Sequence, residues 1–168
     1  MAVADYTEYD EVRAVLGVSS DELPDEAMSG STAWFALKLD LSDVGATILS
    51  DYATALAITS PNQVEQSFTE LLKVFSTYSV ANQLLDSLPM FSPKAKLDGD
   101  TSVTRFSSSP YKETVVSVRS SYLRFRKRLV RAYELYLSGA SAVSDSQLSV
   151  MPLFGGSASP DYDPVTGA

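Results

Sequence analysis

The chain has 168 residues, 45% of them hydrophobic, with 13 Lys and Arg against 21 Asp and Glu for a net charge of −8, and it contains neither histidine nor cysteine. That length and apolar fraction predict one globular domain with its own core. No apolar run reaches the roughly 18 residues of a membrane-crossing helix, so no membrane role is expected.

Cysteine's absence excludes disulfides and thiol nucleophiles. Histidine's absence removes the commonest general base and metal ligand, leaving carboxylate, Lys, Tyr, Ser or Thr chemistry. The expectation is a protein that is not an enzyme and carries no cofactor or metal. Met1–Asp5 lacks the basic and apolar regions of a signal peptide, which predicts that the chain stays where it is made.

Charge is unevenly distributed. Residues 1–26 carry eight acids against Arg13 alone, whereas residues 111–134 hold Lys112, Arg119, Arg124, Arg126, Lys127, Arg128 and Arg131 against Glu113 and Glu134. The negative total disfavours nucleic-acid binding by the whole surface but leaves a local basic stripe possible.

In chain order, Thr7 with Asp10 resembles a helix N-cap. Tyr9, Val12, Val15 and Leu16 follow at helical spacing until Gly17 supplies a stop. Leu23-Pro24-Asp25-Glu26 reads as a turn into a second apolar stretch (Met28, Trp34, Phe35, Leu37, Leu39, Leu41, Val44), predicted helical with breaks near Gly30 or Asp40–Gly45. The period continues through Ile48, Tyr52, Ala55 and Leu56. Ser60-Pro61 with Gln63 then suggests the cap of a long helix marked by Val64, Phe68, Leu71, Phe75, Tyr78, Ala81, Leu85 and Leu88, ending before Pro89.

Between Pro89 and Pro110 the helical period disappears. Alternating runs on either side of Asp98-Gly99 predict a small β-hairpin. Ser109-Pro110 reads as the entry to a last long helix ending at Ser138-Gly139. On it Val115, Val118, Tyr122, Phe125, Leu129, Ala132, Tyr133 and Tyr136 share one arc, with Arg124, Lys127, Arg128 and Arg131 opposite. From Ser138 onward the chain is polar, without Lys or Arg, and its few anchors cannot bury enough to fold alone.

The expected fold is therefore all-α. Residues 1–137 form a bundle of three to four main helices with a hairpin or loop insertion at about 89–110, and residues 138–168 form an extended C-terminal arm.

Asp98-Gly99-Asp100 and Asp161-Tyr162-Asp163 lack the twelve-residue loop and closing Glu of a calcium-binding EF-hand and read as turns. Glu8 and Glu11 lie in an exposed acidic segment, where capping and solubility outweigh acid-base catalysis. The Trp34-Phe35 pair and the aromatics of the last helix are assigned to the core.

The run Tyr9-Asp10-Glu11-Val12-Arg13-Ala14-Val15-Leu16-Gly17-Val18-Ser19, followed by Asp21-Glu22-Leu23-Pro24-Asp25, resembles the opening of tailed-phage head-to-tail connector proteins, the neck adaptors. The order of parts is also similar: long helix, loop with Leu97-Asp98-Gly99-Asp100 and Thr104-Arg105-Phe106, Pro110-Tyr111, second long helix and extended tail. About 17 N-terminal positions carry the motif; the rest of the likeness is one of layout.

The resemblance implies a structural virion protein of the neck, assembled in the host cytoplasm. Such adaptors form a ring, commonly of twelve copies, between the portal and the tail or nozzle, around a channel through which genomic DNA passes without specific binding. On this reading Arg124, Lys127, Arg128 and Arg131 meet Glu8 and Glu11 of a neighbouring copy, since complementary charge sets register. The arm, through Met151, Leu153, Phe154 and Tyr162, docks on the portal or a neighbour. The alternative is a small helical nucleic-acid-binding or regulatory protein whose basic face grips phosphates.

Overall fold

A computed structural model describes residues 2–85, 95–98, 101–104 and 109–140. Their fold is predominantly α-helical. A short 3-10 turn, Val3–Asp5, leads into α1 (Tyr9–Leu16), α2 (Asp25–Ser29), α3 (Ser31–Ser42), α4 (Ile48–Leu56), α5 (Gln63–Leu84) and α6 (Ser109–Leu137). Between the last two, β1 (Ala95–Asp98) and β2 (Thr101–Thr104) pair antiparallel, with Ala95 opposite Thr104 and Asp98 opposite Thr101. The expected turn at Gly99, the end of the long helix at Leu88 and most of the C-terminal arm, including Met151, Leu153, Phe154 and Tyr162, lie outside the described residues.

The boundaries follow local chemistry. Gly17 ends α1 with φ 67°, in the left-handed region where glycine carries no Cβ penalty. Gly139 does the same after α6, with φ 69°. The second apolar stretch is divided at both expected breaks: Gly30, with extended backbone, separates α2 from α3, and a turn after Ser42 separates α3 from α4.

Two predicted caps are corrected. The cap of α5 is Asn62 rather than Ser60. Its Oδ1 accepts from the Val64 and Glu65 amides at 2.9 and 3.0 Å, while the Glu65 carboxylate accepts from the Asn62 amide at 2.6 Å. Asn62 and Glu65 have the three-residue spacing of a capping box, which Ser60 and Gln63 merely imitate. At α1 the cap position is Glu8, without a side-chain capping bond. Thr7 is buried, its hydroxyl 2.7 Å from that of Thr77 on α5.

Helix α5 is the central element, touching α1, α3, α4 and α6. A helix covered on several sides must carry apolar residues around much of its circumference. Val64, Phe68, Leu72, Phe75, Val80, Ala81 and Leu84 are accordingly buried. Each large side chain removed from water in this way contributes about 1.5–3 kcal/mol. Two polar residues on the same helix are met by hydroxyl and carboxylate partners: Ser79 donates to Asp40 at 2.6 Å, and the Gln83 amide donates to Ser79 at 3.1 Å.

Helices α5 and α6 run antiparallel. Phe68 stacks on Tyr133 and Tyr136, Tyr78 on Phe125, and near the other end the Tyr111 hydroxyl donates to the Leu85 carbonyl at 2.7 Å. The predicted inner arc of α6 faces this seam. Val118, Phe125, Leu129, Ala132 and Tyr133 are buried, and Val115, Tyr122 and Tyr136 pack at its margins. Aromatic contacts then continue from Phe68 to Tyr52, from Tyr52 to Tyr6, and from Tyr6 to Trp34, tying the N-terminal turn to the bundle.

One expectation for the core does not hold: Phe35 is 61% exposed. Leu39 and Leu56, which share the apolar periods of α3 and α4, are also exposed, while Trp34 and Leu37 on α3, and Tyr52 and Ala55 on α4, supply the inward contacts.

Candidate assembly surface

The N-terminal module is fixed by Arg13, an arginine that is only 8% exposed. Its Nε donates to the Leu23 carbonyl at 2.9 Å, and its two terminal nitrogens reach Asp10 and Asp25. The hydrogen bond to Asp25 is the main cause that raises the guanidinium pKa above its ordinary value. Arginine suits this place because its planar fork satisfies three acceptors from one buried centre. The leucine-proline-aspartate turn is thereby clamped against α1.

The start of α1 lies beside α5, and the two border a groove of about 470 Å³. Asp5, Glu8, Glu11 and Glu70 line it, with Lys73 and Val74. Glu11 accepts a 3.2 Å hydrogen bond from Thr77, which anchors the groove wall to the central helix. Four carboxylates against one ammonium make this concavity acidic. Glu8 and Glu11, both singled out in the sequence, sit in it together, while the contributions of Asp5, Glu70 and Val74 emerge only once α5 is laid beside the N-terminus.

The basic face lies on a different element. Arg124, Lys127 and Arg131 are exposed on α6, and Arg128 is half-buried. Arg124 and Arg128 hold their guanidinium carbons 5.1 and 5.8 Å from the Phe125 ring centroid, so both charged heads lie over that ring at the rim of the core. Arg126 approaches Asp43 at 3.6 Å and links α6 to the end of α3. Within the protomer the acidic groove and the basic face thus occupy separate elements.

A feature passed over in the sequence adjoins that basic face. Val116, Leu123 and Leu137 are 68%, 56% and 61% exposed, and Val130, half-buried, completes a line with a seven-residue step. A step of seven drifts by only about 20° around a straight α-helix, so the four form one nearly continuous ridge. On the helical wheel this ridge lies between Arg126 and Lys127, on the side of α6 between the core arc and the basic face. The seven-residue repeat was present in the sequence, but the stronger inward pattern on the same helix masked it.

At the far end of α6 the Tyr133 hydroxyl donates to Asp51 at 2.5 Å and lies 2.9 Å from the Thr47 hydroxyl. Burial, reinforced by the Asp51 carboxylate, pushes the Tyr133 pKa up; burial and the nearby Asp40 do the same to Tyr122. These groups sit at helix contacts and position α6 on the bundle. Among the described residues no group of three or more His, Cys, Asp or Glu could hold a metal ion, and no helix is long and apolar enough to cross a membrane.

Comparison with protein-family models, curated proteins and solved structures finds no match to this chain. The geometry therefore supplies the argument for function. The described surface offers a basic helix face with an apolar ridge beside it and, elsewhere, an acidic groove. Such features can hold another macromolecule by charge and apolar contact.

Proposed function

We propose that the chain is a structural assembly protein, a head-to-tail adaptor that forms an oligomeric ring between the portal and the tail or nozzle of a tailed phage and leaves an axial channel for DNA. The observation that carries the reading is the outer face of α6, where Val116, Leu123 and Leu137 stand exposed beside Arg124, Lys127 and Arg131. Exposed apolar residues in a line, rimmed by charge, mark surfaces that other proteins cover.

In this proposal the helical bundle is the ring-forming body. The hairpin insertion expected at about 89–110 and the C-terminal arm, through Met151, Leu153, Phe154 and Tyr162, reach the adjoining rings. Charge complementarity sets register: Arg124, Lys127, Arg128 and Arg131 of one copy face the side of a neighbour that carries Glu8 and Glu11. The acidic total lets DNA slide through the channel without being gripped.

The competing reading, duplex binding by the basic face, draws on the exposure of Arg124, Lys127 and Arg131. The ridge weighs against it, because leucine and valine side chains next to those cations gain nothing from phosphates.

Native mass spectrometry of the purified chain with a candidate portal tests the proposal. The expected result is a portal carrying a ring of many copies, with the arm becoming protease-resistant. A chain that ignores the portal and shifts duplex DNA with a steep salt dependence would replace the adaptor reading with the nucleic-acid one.

A further inference from the structure

We infer that copies of this chain associate head to tail, with the Val116–Leu123 ridge of α6 on one copy seated in the acidic groove between the N-terminal turn, α1 and α5 of the next. This deepens the ring reading, on which it rests, by naming the two faces that meet.

Three observations select a second copy as the occupant. The first is charge. Asp5, Glu8, Glu11 and Glu70 surround the groove with Lys73 as its lone base, whereas Arg124, Lys127 and Arg131 lie along one side of the ridge. The chain carries both halves of a complementary pair on separate elements, and charges arranged in this way fix the register of a contact and speed its formation.

The second is apolar content. The groove wall presents Val74, 36% exposed, and the ridge presents Val116 and Leu123. A purely ionic contact would be weak and screened by salt, whereas covering these side chains adds attraction that salt does not remove.

The third is the narrowness of the ridge. A self-paired coiled coil needs two apolar lines, three and four residues apart. Beside Val116, Leu123 and Val130 the positions four residues on are Ser120, Lys127 and Glu134, and those three residues on are Arg119, Arg126 and Tyr133. Tyr133 is already buried in the bundle. Pairing α6 with α6 of another copy would set arginines and lysines against one another, so a single ridge requires a groove of opposite charge.

The contact so formed is heterologous. Each copy uses its ridge once and its groove once, and such a contact repeats until the rotation between neighbours closes a ring. The two faces are separable by mutation, and that separability makes the inference testable.

The experiment is sedimentation velocity on the full chain over a concentration series, for the wild type, a ridge variant (Val116→Ser with Leu123→Ser) and a groove variant (Glu8→Lys with Glu70→Lys). All four substituted residues are exposed, and circular dichroism checks that helicity is retained. The wild type should grow beyond dimers as concentration rises. Each variant alone should lose association at least tenfold, and an equimolar mixture should stop at the dimer, because one intact ridge and one intact groove remain.

Variants that associate like the wild type, a mixture that forms no dimer, or a wild type that stays monomeric throughout would overturn the inference. The portal measurement separates this from the broader reading. Ridge and groove variants that still build a ring on the portal would leave the adaptor standing and remove this interface. A wild type that associates in solution but ignores the portal would do the reverse.

Discussion

The Tyr133 hydroxyl on α6 donates a 2.5 Å hydrogen bond to the Asp51 carboxylate on α4, and the Thr47 hydroxyl donates to the same oxygen at 2.8 Å. This junction pins the C-terminal third of the longest helix to α4, which also packs on α3 and α5. Tyr133→Phe keeps the stacked ring but removes the donor. Because water can reach half-buried Asp51 and replace part of what is lost, the expected cost is about 1–2 kcal/mol in urea unfolding. A variant with unchanged stability would show that ring stacking alone carries the contact.

The same tyrosine explains a glycine. A Cβ added at Gly45 would fall well inside contact distance of the Tyr133 ring, which is held by Phe68, Tyr136 and Asp51 and cannot swing away. Gly45→Ala should destabilise by about 1–3 kcal/mol through overpacking. Combined with Tyr133→Leu, the alanine should cost much less than it does alone. A double-mutant cycle reads that coupling, and strictly additive losses would contradict the steric account.

Alkaline pH should unfold the bundle. Burial raises the pKa values of Tyr6, Tyr52, Tyr122 and Tyr133 above the ordinary value of 10.0. The folded state therefore keeps phenolic protons that the unfolded state releases. This stability is fully present below pH 10 and is lost as pH rises from there through the raised folded values. Circular dichroism and tyrosinate absorbance followed together should show helix loss accompanying ionisation. Helicity that persists after all nine tyrosines have ionised would refute it.

Capping gives a paired test. Asn62→Ala should cost about 1 kcal/mol, since both Val64 and Glu65 amides lose their acceptor, whereas Ser60→Ala should be close to neutral. The reverse order in a thermal melt would restore Ser60 as the cap.

Charge reversal of Arg124, Lys127 and Arg131 to Glu should impair ring assembly while leaving helicity intact, because all three project from the outer face of α6. Assembly that proceeds at the wild-type rate and extent, followed by light scattering, would dismiss charge register as its guide.

What was legible in the sequence had strong periodicity or special backbone chemistry. The inner arc of α6, the stop at Gly17 and the division at Gly30 all fall where hydrophobic spacing and glycine place them. Relations between elements were not legible. Thr7 reads as a cap locally, yet the arrival of α5 turns its hydroxyl toward Thr77. Phe35 and Leu56 carry the same apolar signal as their buried neighbours, and only the direction from which α5 approaches decides which of them face solvent. The groove likewise combines residues some sixty positions apart, beyond the reach of any local pattern.

Trp34 is the sole tryptophan and stacks on Tyr6 with ring centroids 5.4 Å apart. Tyr6 is also one of the residues bordering the acidic groove. The protein consequently carries a built-in optical reporter next to the surface where a neighbour would sit. Its emission can follow the seating of the N-terminal turn, and the arrival of another copy, in real time and without an attached dye.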